Sequence, residues 1–137
     1  MTPFLWPIRV YYEDTDAGGV VYHSAYLNFM ERARTEWVRA LGFEQDELIT
    51  QHNVIFAVTS LQIDFRQPAR FNQKLIVSTE IEDLGKAKIV FRQTIARESD
   101  QQVLCEAMVR VASLYADRFK ARPMPEIFRS KIITVEK

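Results

Sequence analysis

The sequence predicts an α+β fold in which one long helix packs on an antiparallel sheet of about five strands. Three observations indicate this class. An amphipathic helical pattern covers about residues 24–41, one alternating run precedes it, and four longer alternating runs follow it from residue 54 onward. Short turns join the later runs, so neighbouring strands are expected to pair antiparallel. Since only one predicted helix is long enough to cover the sheet, helix and sheet form two layers.

The chain begins with a predicted strand and then the long helix. Ile8, Val10 and Tyr12 alternate with their neighbours over residues 8–13, which is the period of a strand with one buried face. Ser24 is the predicted N-cap of the helix, and Gly42 supplies the left-handed residue that commonly ends one. The helix carries one apolar stripe, formed by Tyr26, Met30, Ala33, Trp37 and Leu41.

The second half of the chain is predicted to form strands. The four runs extend from Val54 to the break at Pro68 and over residues 75–81, 89–95 and 103–115. Gly85 and the Glu98-Ser99-Asp100 cluster mark two hairpin turns. The run over residues 103–115 is apolar on both alternating faces, so the face away from the helix needs cover, which oligomerisation would supply.

Two polar or proline-bounded segments flank these runs. Residues 44–51 form either a short second helix or an ordered loop. Pro123 and Pro125 close the strand region, and a brief helix or an extended arm is expected over residues 126–131. The only cysteine, Cys105, lies in an alternating run and is expected to be a buried structural thiol.

Length and composition restrict the class of protein. The chain of 137 residues is expected to form a single domain, 1–137, with one apolar core. Apolar residues make up 47% of it, and no window approaches the roughly 20 apolar residues of a spanning helix, so no integral membrane segment is expected. Basic and acidic residues balance at 18 each, which argues against a nucleic-acid partner. The first residues lack the features of a secretory signal, and a cytoplasmic location is expected.

The segment YYEDTDAGGVVYH, residues 11–23, concentrates chemistry ahead of the helix. It holds three carboxylates, two adjacent glycines and one of the two histidines of the chain. A carboxylate that a glycine turn delivers to a helix N-terminus lies beside backbone N–H donors, which suit a developing oxyanion. This layout is typical of an acyl-transfer site.

The longer segment WPIRVYYEDTDAGGVVYHSAYLNFMERARTEW, residues 6–37, resembles the hotdog-fold acyl-CoA thioesterases of the 4-hydroxybenzoyl-CoA thioesterase class. Within that class it is similar to the bacterial YbgC-like subgroup, which is associated with the Tol-Pal envelope system. The resemblance implies an antiparallel sheet wrapped around one long central helix. It also implies dimers that join sheets edge to edge, usually assembled into a homotetramer, with active sites shared between subunits.

The resemblance implies an acyl-CoA thioester hydrolase that releases a carboxylic acid and coenzyme A, with short-chain esters as the expected substrates. The catalytic aspartate of the family falls on Asp16, and Asp14 supports it. Asp16 either attacks the carbonyl to form an anhydride or removes a proton from water; its alternative role is to cap a turn. The backbone N–H of His23 polarises the carbonyl, and its side chain either protonates the leaving thiolate or packs at the helix start.

Further contacts are expected around this turn and at the strand ends. The turn at Gly19 leaves N–H groups free for the acyl oxygen, and Tyr22, Tyr26 and Phe56 either line the acyl pocket or belong to the core. The family binds coenzyme A phosphates with surface cations, for which the candidates are Lys86, Lys88, Lys120 and Arg122. Coenzyme A is part of the substrate; no separate cofactor, metal or serine-hydrolase G-x-S-x-G motif is indicated.

Two alternatives remain open. A hotdog dehydratase or hydratase would pair His23 with a helical carboxylate, Glu31 or Glu36, and some hotdog thioesterases also take their carboxylate from the helix. The second alternative is a docking protein whose partner is acyl carrier protein or an envelope component and whose hydrolysis is residual. The aspartate-rich turn argues for the thioesterase over both.

Overall fold

The computed structural model describes residues 2–136. In chain order, the elements are β1 (Phe4–Arg9), α1 (His23–Ala40), α2 (Gln45–His52), β2 (Val54–Phe65), β3 (Lys74–Leu84), β4 (Lys88–Arg97), β5 (Val103–Tyr115) and α3 (Glu126–Glu136). The five strands form one antiparallel sheet in the order β1-β3-β4-β5-β2. The predicted α+β class, the long helix and the four later strands are confirmed.

Helix α1 lies on the inner face of the sheet through its apolar stripe. All five stripe residues are buried, and Phe29 beside them is completely inaccessible. They meet β3, β4 and β5 through one continuous cluster of apolar side chains. Burying a large apolar side chain contributes about 1.5–3 kcal/mol, so this contact positions the start of α1 firmly against the sheet. Gly42 ends the helix region with φ of 99°, as predicted.

Cys105 lies within this core, as predicted. Its side chain has no exposed surface, and burial raises the pKa of its thiol to about 12. The thiol therefore stays protonated and acts as a small apolar group. Among residues 2–136, no helix combines the length and apolarity needed to cross a bilayer.

A buried polar network joins α1 to the sheet. The side-chain amide of Gln93 donates to the carbonyl oxygen of Met30 at 3.0 Å and to the hydroxyl of Thr79 at 2.9 Å. Its carbonyl oxygen accepts a hydrogen bond from Arg34 at 2.9 Å. Gln93 and Thr79 are both fully buried, so the bonds from Gln93 to Thr79 and Met30 are shielded from water, whereas the bond from Arg34 is partly buried.

Replacing Gln93 by leucine is expected to destabilise the fold by about 1–3 kcal/mol, because Thr79 and the carbonyl of Met30 lose their partner in a buried position. Urea unfolding measures this loss. The double variant Q93L/T79V should recover part of it, since both ends of one bond become apolar together. Equal stability of Gln93→Leu and the wild type would show that the network contributes nothing.

Three predicted boundaries are wrong, and side-chain chemistry explains the first. The strand predicted over residues 8–13 ends at Arg9, and Tyr12–Asp14 form a 3₁₀ turn. The carboxylate of Asp14 accepts the N–H of Tyr11 at 2.8 Å, and the N–H of Asp14 donates to the carbonyl of Tyr11 at 3.0 Å. These local bonds turn the chain away from β3, so strand alternation does not apply beyond them.

The second correction concerns the start of α1. The N-cap is Tyr22 rather than Ser24, and the side chain of Tyr22 makes no capping hydrogen bond. The N–H of Tyr22 donates to the carbonyl of Asp14 at 3.0 Å, which holds Tyr22 extended. The helix therefore begins at His23. At the other end of the chain, α3 runs to Glu136, well beyond the brief helix predicted, and residues 45–52 are the helix of the two alternatives.

Candidate active site

A tight turn between β1 and α1 presents Asp16. Thr15 and Val21 form an antiparallel bridge, and inside it the N–H of Asp16 donates to the carbonyl of Val20 at 2.9 Å. The N–H of Gly19 closes the turn onto the carbonyl of Asp16 at 3.0 Å. Gly19 has φ of 80°, a conformation that a side chain would strain. No atom lies within 4 Å of where its Cβ would be, so the turn is open on that side.

The carboxylate of half-buried Asp16 is held through one oxygen. Oδ1 accepts the N–H of Gly18 at 2.8 Å and that of Val20 at 3.4 Å. Oδ2 has no hydrogen-bond partner within residues 2–136. Asp16 therefore caps the turn, as one of its two expected roles required, and also keeps one oxygen available as a base or nucleophile.

His23 is the first residue of α1, and both its backbone and its ring face the site. In the described part of the chain, the N–H groups of His23 and Ser24 meet no acceptor, as is usual in a first helical turn. The imidazole ring stands edge-on against Phe65, with the ring centroids 4.9 Å apart. The N-terminus of α1 thus offers free donors beside an oriented imidazole.

A hollow of about 190 Å³ lies beside this helix start. His23, Tyr26, Phe65, Gln67 and Pro68 contribute to its wall. Asp16 and Gly19 belong to the neighbouring turn rather than to the wall, and Tyr22 is half exposed. The structure therefore brings His23 and Tyr26 to one hollow, with the Asp16 turn adjoining α1.

Tyr26 is a core residue whose ring borders the hollow. It is only 3% exposed, and its hydroxyl accepts the N–H of Ala69 at 2.9 Å. Burial raises the pKa of Tyr26, which keeps the phenol neutral. Phe65 packs on it, with centroids 5.4 Å apart. Sequence reasoning missed Phe65, although a strand-ending aromatic just before Pro68 was a visible signal.

Phe56 does not share this hollow within one chain. It packs on Phe128 near the other end of β2, opposite Ser113 of β5. The helical carboxylates are also remote from His23. Glu31 lies eight residues further along α1, about 12 Å, and Glu36 pairs with Arg39. One chain therefore does not form the histidine–glutamate pair of the dehydratase alternative.

The structure gathers the four predicted cations at one end of the sheet. The segment after β5 folds back on the hairpin between β3 and β4 and on β5 itself. The backbone N–H of Met124 donates to the carbonyl of Lys86 in the hairpin at 2.8 Å, and the backbone N–H of Arg122 donates to the carbonyl of Ser113 in β5 at 3.0 Å. Lys88 forms an ion pair with Asp83 at 3.2 Å. We call Lys86, Lys88, Lys120 and Arg122, together with the adjacent Arg118, the cation cluster.

The cation cluster and the Asp16 turn lie at opposite ends of the same strand pair. Tyr115, beside the cluster, is paired with Val54, whereas Phe65, beside His23, is paired with Cys105. The strand from Cys105 to Tyr115 spans roughly 33 Å at the usual rise per residue. One chain therefore separates the two halves of the expected site.

Comparison with known proteins agrees with this architecture. The family model described as the thioesterase-like superfamily matches residues 10–132. The chain belongs to this superfamily. The match includes the Asp16 turn, all of α1 and strands β2 to β5, so the family resemblance noted in the sequence is confirmed.

Within the thioesterase-like superfamily, the YbgC acyl-CoA thioesterase of Haemophilus influenzae is 43% identical over 123 residues, which cover 90% of this chain and 89% of that protein. The YbgC acyl-CoA thioester hydrolase of Escherichia coli O6:H1 is 42% identical over 125 residues, which cover 91% and 92%.

Solved structures share the fold. A probable thioesterase from Bartonella henselae has a TM-score of 0.85 at 33% identity, covering 90% of this chain and all of that one. A 1,4-dihydroxy-2-naphthoyl-CoA thioesterase from Synechocystis has a TM-score of 0.90 at 22% identity, covering 99% of both chains. At that identity the second likeness concerns the fold alone, and the hotdog architecture expected from the sequence is confirmed.

Proposed function

We propose that this chain hydrolyses acyl-CoA thioesters to a free carboxylic acid and coenzyme A. The observation that carries the proposal is the half-anchored carboxylate of Asp16. One oxygen is fixed by the glycine turn and the other is free, and the turn leads directly into the N-terminus of α1. Two acyl-CoA thioester hydrolases that match 90% and 91% of this chain support the substrate class.

The arrangement supplies what thioester hydrolysis needs. The carbonyl of a thioester is electrophilic and its thiolate leaves readily, so one base or nucleophile and a stabilised oxyanion are sufficient. Asp16 either attacks the carbonyl, expelling the thiolate and forming an anhydride that water opens, or takes a proton from the attacking water. The N–H groups of His23 and Ser24 receive the oxyanion, and the imidazole of His23 is placed to protonate the thiolate.

A second copy of the chain is part of the proposal. Strand β2 pairs on one side only within the described residues, and its inner face leaves Val58, Leu61 and Phe65 exposed by 50%, 39% and 43%. Two such edges pairing antiparallel about a two-fold axis would cover these side chains. The Val54 end of one β2 would then lie beside the Phe65 end of the other. Each Asp16 turn would meet the cation cluster of the second copy.

This assembly gives the predicted cations their role in binding coenzyme A phosphates. A dimer provides two shared sites, and a dimer of dimers is the proposed tetramer. The small aromatic hollow between His23, Tyr26 and Phe65 favours short acyl groups. The cytoplasmic location stays a prediction from the sequence, and acyl carrier protein remains the alternative carrier.

Steady-state thiol release over a panel of short, long and aromatic acyl-CoAs tests the activity. We expect the highest kcat/KM for short-chain acyl-CoA, since this ratio reports how the pocket binds each transition state. The same acyl groups on acyl carrier protein compare the carriers, and enoyl-CoA absorbance monitors hydration in parallel. Absence of thiol release from every ester, or hydration faster than hydrolysis, would contradict the proposal.

A further inference from the structure

An exposed aromatic ring in a strained conformation stands beside the cation cluster. After β5 the chain turns over residues 116–120, and Phe119 in this turn is 70% exposed. Its φ is 49°, in the left-handed region that bulky side chains avoid. Both the backbone strain and the exposed phenyl ring cost stability, so neither explains why a phenylalanine occupies this position.

The turn that carries Phe119 is fixed rather than loose. The N–H of Phe119 donates to the carbonyl of Tyr115 at 3.0 Å, and the N–H of Tyr115 donates to the carbonyl of Lys120 at 2.9 Å. The side chain of Asn53 bonds Asp117 twice, donating to its carboxylate at 3.1 Å and accepting its N–H at 3.2 Å. The phenyl ring is therefore presented from a backbone held on both sides.

Basic residues lie on both sides of Phe119 in the chain, and two arginines lie over the ring of Tyr115, to which the Phe119 turn is bonded. The guanidinium of Arg118 lies 4.0 Å from the ring centroid of Tyr115, and that of Arg122 lies 5.6 Å from the same centroid. Lys120 follows Phe119 directly in the chain. The nearest acid in the turn, Asp117, is 3.8 Å from Arg118 and is already bonded to Asn53. An exposed aromatic ring with a basic residue before and after it in the chain is suited to a nucleotide, whose base stacks while its phosphates form ion pairs.

We propose that Phe119 stacks on the adenine of coenzyme A while Arg118, Lys120 and Arg122 bind its phosphates. The inference rests on the proposed thioesterase function and extends it to the choice of carrier. Acyl carrier protein and pantetheine present the same thiol arm without an adenine. Phe119 therefore makes the enzyme prefer coenzyme A thioesters, by a contact far from the reacting carbonyl.

The test compares Phe119→Gly and Phe119→Trp on one acyl group carried by coenzyme A or by pantetheine. Glycine removes the ring and relieves the strained φ, whereas tryptophan keeps a stacking surface. We expect Phe119→Gly to raise KM for acyl-CoA about five- to thirtyfold with kcat unchanged, and to leave acyl-pantetheine within about twofold. Phe119→Trp should restore the wild-type KM to within about twofold.

A matched control removes an equally exposed apolar side chain elsewhere. Ile127 on α3 is 63% exposed, and Ile127→Ala should leave KM unchanged for both acyl-CoA and acyl-pantetheine. The thermal midpoint of Phe119→Gly should equal or exceed that of the wild type, because the strain is gone. A KM for acyl-CoA within about twofold of the wild type, or equal losses on both carriers, would overturn the stacking contact.

Calorimetric binding of free coenzyme A and free pantetheine separates this inference from the proposed activity. If the wild type hydrolyses neither thioester, the proposed activity is wrong. The binding of free coenzyme A still shows whether Phe119 stacks on its adenine. Weaker binding of coenzyme A by Phe119→Gly than by the wild type, with pantetheine unaffected, would support it. Equal affinities of the two proteins for coenzyme A, or no binding by either, would refute it.

Discussion

Replacement of Asp16 by asparagine is expected to lower kcat for acyl-CoA hydrolysis by about 10³-fold or more, whether the carboxylate acts as base or nucleophile. The amide oxygen of asparagine can still accept the N–H of Gly18, so the turn should survive. The free oxygen Oδ2, however, is replaced by an NH₂ group that can neither take a proton nor attack a carbonyl. The loss should therefore appear in kcat while the thermal midpoint stays near that of the wild type.

Glu13→Gln is the matched control, because Glu13 is an exposed acid in the same segment and forms no ion pair among residues 2–136. It should retain activity to within about twofold. Glu31→Gln, measured beside it, tests the helical carboxylate and should have a weaker effect than Asp16→Asn. Undiminished hydrolysis by Asp16→Asn would exclude Asp16 from the chemistry. A larger loss in Glu31→Gln would transfer the role to the helix.

The spacing of apolar residues predicted those elements whose apolar side chains are buried within a single chain. The stripe of α1 and the strands β3 to β5 fall in this class, since each packs in the chain's own core. The end of β1 depends instead on the carboxylate of Asp14, which captures the backbone at Tyr11. The start of α1 depends on a bond between Asp14 and Tyr22 across the turn. Propensity and spacing carry no signal for such individual bonds.

The site shows the same division. Asp16 and His23 lie in one short motif, and the resemblance of that motif to the thioesterase family is what selected them as candidates. Phe65 reaches His23 across 42 positions of sequence, and only the packing of β2 beside α1 makes that contact. Strand register brought the predicted cations together, but it also placed them away from Asp16. That separation is what makes a second copy necessary to the proposed site.

Introducing a lysine at Val58 is expected to dissociate the dimer and lower kcat/KM by about 10²-fold or more, since the coenzyme A handle is no longer positioned. Val58 lies on the free edge strand β2 and is half exposed in one chain, so the substitution should not disturb the monomer fold. Two lysines would face each other near the two-fold axis. Sedimentation equilibrium and steady-state kinetics on the same samples measure the effect.

Leu5→Lys provides the control at the other edge of the sheet. Leu5 lies on β1 and is 58% exposed. Its replacement by lysine should leave assembly and activity unchanged. Dissociation by Leu5→Lys alone would place the interface at β1. A dimeric, fully active Val58→Lys would refute both the β2 interface and the sharing of sites across it.

Mixing two dimers that are each inactive at low substrate directly tests whether the two subunits share each active site. One carries Asp16→Asn, and the other carries Lys120→Ala with Arg122→Ala in the cation cluster. After subunit exchange, a mixed dimer has one site with both halves intact and one with neither, so about a quarter of the wild-type activity at low substrate should return. If each chain used its own cations, every site would keep one defect and no activity would return, because the carboxylate and the cations act on the same molecule of substrate.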